Sequence, residues 1–128
     1  MNDHAALLVV DAANVVGSVP DGWWRDRAGA AERLRDRLAA DGLPAGAVQP
    51  PAGPLEIVLV VEGAARGVAP VPGVVVEAAT GSGDDRIVEL VGGRAPGRRC
   101  IVVTADRELR DRVRALGAEV VGPRTVRG

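Results

Sequence analysis

Several acidic side chains stand where an apolar run gives way to a polar turn. Asp11 ends the run 5–10, Glu62 ends 57–61, and Asp106 closely follows 100–104. Asp84 and Asp85 come directly after the break Thr80-Gly81-Ser82-Gly83, and Asn14 follows Asp11 by three residues. Carboxylates crowded together without Lys repel one another and raise one another's pKa. A divalent cation relieves that repulsion. Oxygen donors with no His or Cys among them select Mg²⁺ or Mn²⁺ rather than Zn²⁺. A cation so held can bind a phosphate oxygen and lower the pKa of a bound water for in-line attack, which is the chemistry of phosphodiester cleavage.

Each acid also has a structural role open to it. Asp84 and Asp85 can complement a helix dipole, Asp106 can cap a helix, and Asp11 can simply end its strand. Their shared position argues for more. In open α/β sheets, sites form beyond the carboxyl ends of the strands, and Asp11, Asp84, Asp85 and Asp106 all fall there. Glu62 is expected to lie further out. His4 precedes the first strand, at the opposite end, and reads as a solvated terminal residue.

The elements that must position these residues alternate. Residues 5–10 read as a buried strand, being apolar without interruption. Residues 24–40 read as a helix, with Ala31, Leu34 and Leu38 on one face and Arg and Asp on the other. A Pro/Ala/Gly-rich loop spans 43–54. Strands follow at 57–61, 73–77, 100–104 and 119–121, with helices at 84–91 and 107–116. Leu109, Val113 and Leu116 are expected to face inward. The tail from about 122 is expected to be loose. Strands alternating with helices imply a parallel sheet covered on both faces. The length of 128 residues fits one domain over 1–128.

Composition narrows the possibilities. All 16 cationic side chains are Arg. Without Lys there is no P-loop, no Schiff-base chemistry and no phospho-receiver site. No Gly-rich turn follows the first strand, which argues against a dinucleotide enzyme, and Asp11 lacks the second Asp, two residues on, of a phosphoaspartate hydrolase. The net charge of −1 announces no strongly basic nucleic-acid face. Cys100 is the only cysteine and reads as buried and inert. With no signal-like or membrane-spanning stretch, a cytoplasmic protein is expected. The only aromatics are Trp23 and Trp24. Either can stack on a base, although at least one is expected against the aliphatic core.

Three segments resemble a known family in order and spacing. Asp11-Ala-Ala-Asn14-Val-Val resembles the first motif of NYN domains, which are PIN-like nucleases. Gly83-Asp84-Asp85-Arg-Ile resembles their acidic motif at the start of the helix after strand three, and Val102-Val-Thr-Ala-Asp106-Arg-Glu-Leu their third motif. The likeness is nearest to the bacterial YacP-like branch. It implies a three-layer PIN-like α/β fold with a central parallel sheet of order 3-2-1-4-5. It implies Asp11, Asp85 and Asp106 as the main metal-binding and catalytic carboxylates. Asp84 would be a further ligand, and Asn14 would position substrate or a metal-bound water. Ser82 and Thr104 would hydrogen-bond the carboxylates. Related nucleases often carry a Glu just before the paired Asp; here Ser82 and Gly83 occupy that stretch, and Glu108 is a candidate to supply the charge.

The leading expectation is therefore a Mg²⁺- or Mn²⁺-dependent endoribonuclease. Arg25 and Arg27 are candidates for RNA phosphates, against the alternative of a solvated helix face on which Asp26 pairs with Arg. Two other readings stay open: a non-catalytic RNA- or ribosome-associated binding module, and a small nucleotide phosphohydrolase.

Overall fold

The computed structural model describes residues 5–126, so His4 lies outside the described residues. Five strands form one all-parallel sheet in the order β3-β2-β1-β4-β5. They are β1 (Ala6–Asp11), β2 (Leu55–Val61), β3 (Val74–Ala78), β4 (Cys100–Val103) and β5 (Glu119–Val121). Four helices cover it: α1 (Ala12–Gly17), α2 (Arg27–Asp41), α3 (Gly83–Gly92) and α4 (Arg107–Ala115). This is the three-layer α/β architecture expected from the sequence.

The continuous apolar strands follow from burial on both faces. Alternate residues of one strand enter different layers of core. Leu8 and Val10 of β1 pack with Ile57, Leu59, Ile101 and the inner faces of α1 and α2. Leu7 and Val9 pack with Val58, Val60, Val102 and the inner faces of α3 and α4. Both layers are wholly aliphatic apart from Cys100, which is buried.

Four details depart from the sequence reading. The segment after β1 is a short helix, α1, where a loop was expected. The helix expected over 24–40 starts later: Trp23–Arg25 forms a separate 3₁₀ turn, and Asp26, at φ −151°, breaks it from α2. Asp26 Oδ1 then accepts from Gly29 N at 2.9 Å, and a Cβ at Gly29 would lie 2.2 Å from Asp26 Oδ2, so a larger residue there would make the carboxylate turn. Leu116, expected inward, is exposed because α4 ends at Ala115 and Leu116 follows as its cap. The segment after Gly122, expected to be loose, forms a 3₁₀ turn over Pro123–Thr125, and Val126 is buried in the α1/α2-side core. Burying Pro123 and Val126 is what holds it.

Candidate functional site

Strand parity brings the acids together. In β1 the residues facing α3 and α4 are Leu7 and Val9, so Asp11 points the same way. In β4 they are Cys100 and Val102, so Thr104 does too. In β2 they are Val58 and Val60. Glu62 follows in extended conformation and continues the alternation. Register supplies the rest: Val10 lies opposite Val103, and Asp11 opposite Val60. Asp11 is thus flanked by Thr104 on one side and by the path to Glu62 on the other.

A hydrogen-bond network ties the loop after β1 to the loop after β4. Thr104 Oγ1 donates to Asp11 Oδ2 at 3.0 Å and accepts from Asp106 N at 3.1 Å. Asp11 Oδ1 caps α1 by accepting from Asn14 N at 3.3 Å. Asn14 Oδ1 accepts from Ala105 N at 2.8 Å. Asp106 Oδ1 accepts from Leu109 N at 3.0 Å, capping α4. Asp11 and Asp106 are therefore helix caps and members of one polar cluster at once.

At α3 the structure separates the paired acids. Asp84 is one helical face with Ile87 and Val91, three and seven residues on, which are both fully buried. Asp85 lies a further 100° around the helix. Its Oδ1 meets Arg112 Nη1 at 3.1 Å, and its side chain is 74% exposed. The charges of Asp106, Glu62 and Glu108 act on Asp84, and those of Asp84 and Glu62 act on Asp11; Asp85 is absent from both sets. On this geometry Asp84, rather than Asp85, is turned toward Glu62 and Asp106. Ser82 also differs from expectation. Its Oγ accepts from Asp85 N at 3.5 Å, at the N-cap of α3, and does not bond a carboxylate.

Glu62 was set too far out. Gly83 N, the first amide of α3, donates to Glu62 Oε2. Glu62 thereby stands beside the start of α3, where its charge acts on Asp84. The signal for it was the parity of β2.

Burial governs the electrostatics. Asp11 is only 5% exposed. Burial pushes its pKa up from 3.8 to about 6, against the lowering pull of the Thr104 and Asn14 hydrogen bonds, with Asp84 and Glu62 adding to the rise. Asp84 is also raised, first by burial, then by Asp106 and Glu62, with Arg112 opposing. Asp11 itself has no cationic partner among the described residues. The donor set is all oxygen and suits a hard divalent cation. Among the described residues, however, no three acidic, His or Cys side chains already form a closed coordination set.

Neither tryptophan lies in the core. Trp23 is half-buried and Trp24 is 55% exposed, and neither belongs to a core cluster. The rings meet edge to face, 6.1 Å apart. The Arg25 guanidinium lies 5.9 Å from the Trp24 ring centroid and that of Arg27 5.4 Å from the Trp23 centroid. Neither Arg pairs with Asp26, whose carboxylate caps α2. Trp23, Arg27 and Glu62 line a cleft of about 500 Å³.

No protein-family model matches the chain, and no curated protein matches it. Among solved structures, it superposes on Rae1 (YacP) from Bacillus subtilis, crystallised as a tryptophan-to-leucine mutant. The TM-score is 0.65 at 19% identity, over 93% of this chain and 70% of that chain. The fold is YacP-like. No helix among the described residues is long and apolar enough to cross a membrane.

Proposed function

We propose that this chain is a Mg²⁺- or Mn²⁺-dependent endoribonuclease. The observation that carries the reading is Asp11: a carboxyl buried beside other acids, without a cationic partner, at the carboxyl end of the central strand. Such a group is costly to ionise unless a cation joins it. Asp11, Asp84 and Asp106 would hold the ion, with Glu62 contributing charge. Bound there, the ion would neutralise the cluster, engage a phosphate oxygen and make a bound water acidic enough to attack. The YacP-like fold supports this reading, as do the three sequence motifs.

The chain's own residues prepare the site. Thr104 fixes the orientation of Asp11 and, through the Asp106 amide, the start of α4. Asn14 locks the two loops together through Ala105, which holds Asp11 and Asp106 in register. Asn14 and Thr104 are thus positioning residues. Arg25, in the 3₁₀ turn before α2, and Arg27, the first residue of α2, supply positive charge for RNA phosphates. Asp85 is held outside by Arg112.

The test is cleavage of an end-labelled RNA with added Mn²⁺, comparing wild type with Asp106→Asn. Asn can still cap α4, so the variant should fold and lose cleavage. Equal cleavage by both, or cleavage that persists in EDTA, would sink the proposal. That no closed coordination set stands among the described residues favours one alternative, a non-catalytic RNA- or ribosome-associated binding module. That reading expects RNA binding unchanged by EDTA, with no turnover.

A further inference from the structure

Arg112 stands at the rim of the acidic cluster. In α4, Leu109 and Val113 face the core. Glu108 and Arg112, four residues apart, share the flank turned toward α3, where Glu108 acts on Asp84 and Arg112 meets Asp85. Arg112 Nη1 lies 3.1 Å from Asp85 Oδ1, and the Arg112 charge also acts on Asp84. Only that one donor is engaged. Among the described residues, Nε and Nη2 of Arg112 have no hydrogen-bond partner, and neither is buried. The other ion-paired arginines are committed elsewhere: Arg35 to Asp36, Arg86 to Glu77 and Glu89, Arg98 to Glu56, and Arg99 to Glu119. An exposed pair such as Arg112 with Asp85 adds little to stability. Its effect is to fix the direction of the guanidinium.

We propose that Arg112, aimed by Asp85, donates its free N–H groups to a non-bridging oxygen of the phosphate being cleaved. The inference rests on the RNA-cleavage reading above and adds a catalytic residue to it. A guanidinium is planar and carries donors on more than one edge, so it can hold a carboxylate on one edge and a phosphate on another. Hydrolysis adds a water oxygen to phosphorus, breaks the bond from phosphorus to one ester oxygen and leaves that oxygen with a proton from the water. Midway, the non-bridging oxygens carry more negative charge than at the start. A donor fixed beforehand at that position acts mainly on the transition state. In this account Asp85 is a positioning residue, which gives the second acid of the pair a role outside the cluster.

Wild type, Arg112→Ala, Asp85→Asn and the double variant are compared in three measurements, with a urea midpoint to confirm that each folds. Cleavage of an end-labelled RNA with Mn²⁺ gives kcat and KM. Calorimetry without RNA gives Mn²⁺ affinity. Binding of a short single-stranded RNA in EDTA, across a salt series, counts phosphate contacts. Arg112→Ala should lower kcat by about a hundredfold. Its slope of log K against log salt should be shallower by roughly 0.7, one contact fewer. Its Mn²⁺ binding should not weaken, because a positive charge has been removed from beside the acids. Asp85→Asn should lower kcat several-fold in wild type and not at all in the Arg112→Ala background. Equal cleavage by wild type and Arg112→Ala overturns the role of Arg112 and leaves the RNA reading standing. Weaker Mn²⁺ binding by Arg112→Ala also overturns it, since Arg112 would then be holding the acids in place. An Asp85→Asn protein with wild-type kcat overturns the role of Asp85. No cleavage by wild type overturns the cleavage reading and this proposal together.

Discussion

Asp11→Asn should stabilise the metal-free protein, and only at neutral to alkaline pH. Burial raises the Asp11 pKa from 3.8 to about 6. In the folded state the group therefore holds its proton more tightly than in the unfolded chain. Its contribution to stability is fully present below about pH 4 and is lost as pH rises through about 6. A shift of this size corresponds to roughly 3 kcal/mol once both states are ionised. Asn carries no charge and avoids that loss. It has one oxygen where Asp11 has two, and both of those accept hydrogen bonds, from Asn14 N and Thr104 Oγ1. Losing one of them costs about 1 kcal/mol. The variant should be more stable than wild type by roughly 2 kcal/mol at pH 8, and no more stable at pH 4. Urea unfolding of both proteins in EDTA at the two pH values measures the difference directly. Titrating groups outside the acidic cluster cancel in the comparison. A stability difference that does not change with pH would refute the reasoning, as would a variant less stable than wild type at pH 8. A saturating divalent cation should reverse the order, since only wild type gains binding free energy, about 2.7 kcal/mol at a hundred times Kd.

Other consequences follow from the same geometry. Thr104→Val removes the donor to Asp11 Oδ2 and the acceptor for Asp106 N; stability should fall by about 1–3 kcal/mol, read by urea unfolding. Asp84→Asn should weaken Mn²⁺ binding far more than Asp85→Asn, read by calorimetry; the reverse order would mean that Asp85 supplies the ligand. Arg112→Ala breaks an exposed ion pair to Asp85, so its effect on stability should stay within about 1 kcal/mol and shrink in high salt. Leu8→Ala, at a fully buried position of the central strand, should cost about 2–5 kcal/mol in urea unfolding.

The fold was legible because its core strands are apolar without interruption and its helices begin with acids or caps. The parallel pairing came from the alternation of strands and helices, and the strand order from the motif resemblance. Boundaries were less legible. Ala12 to Gly17 is nearly all small or apolar, so nothing in its composition separates α1 from a strand-end loop. The break before α2 depends on Asp26 folding back onto Gly29, a contact invisible to periodicity. Within the site, Asp11 and Asp106 could be read from their places at strand ends. Choosing between Asp84 and Asp85 needed the helical phase set by Ile87 and Val91, and that signal was present in the sequence. Glu62 was readable from the parity of Val58 and Val60, although its bond to the Gly83 amide was not. The cleft at Trp23 joins residues from four separate segments and has no local signature.

The most direct test of the acidic site is Mn²⁺ titration by calorimetry, wild type against Asp106→Asn, both confirmed to be folded. Wild type should bind Mn²⁺ and release protons at about pH 6, where Asp11 is half-protonated, and Asp106→Asn should bind far more weakly or not at all. Equal binding by both proteins, or none by either, would contradict a cation held among Asp11, Asp84 and Asp106.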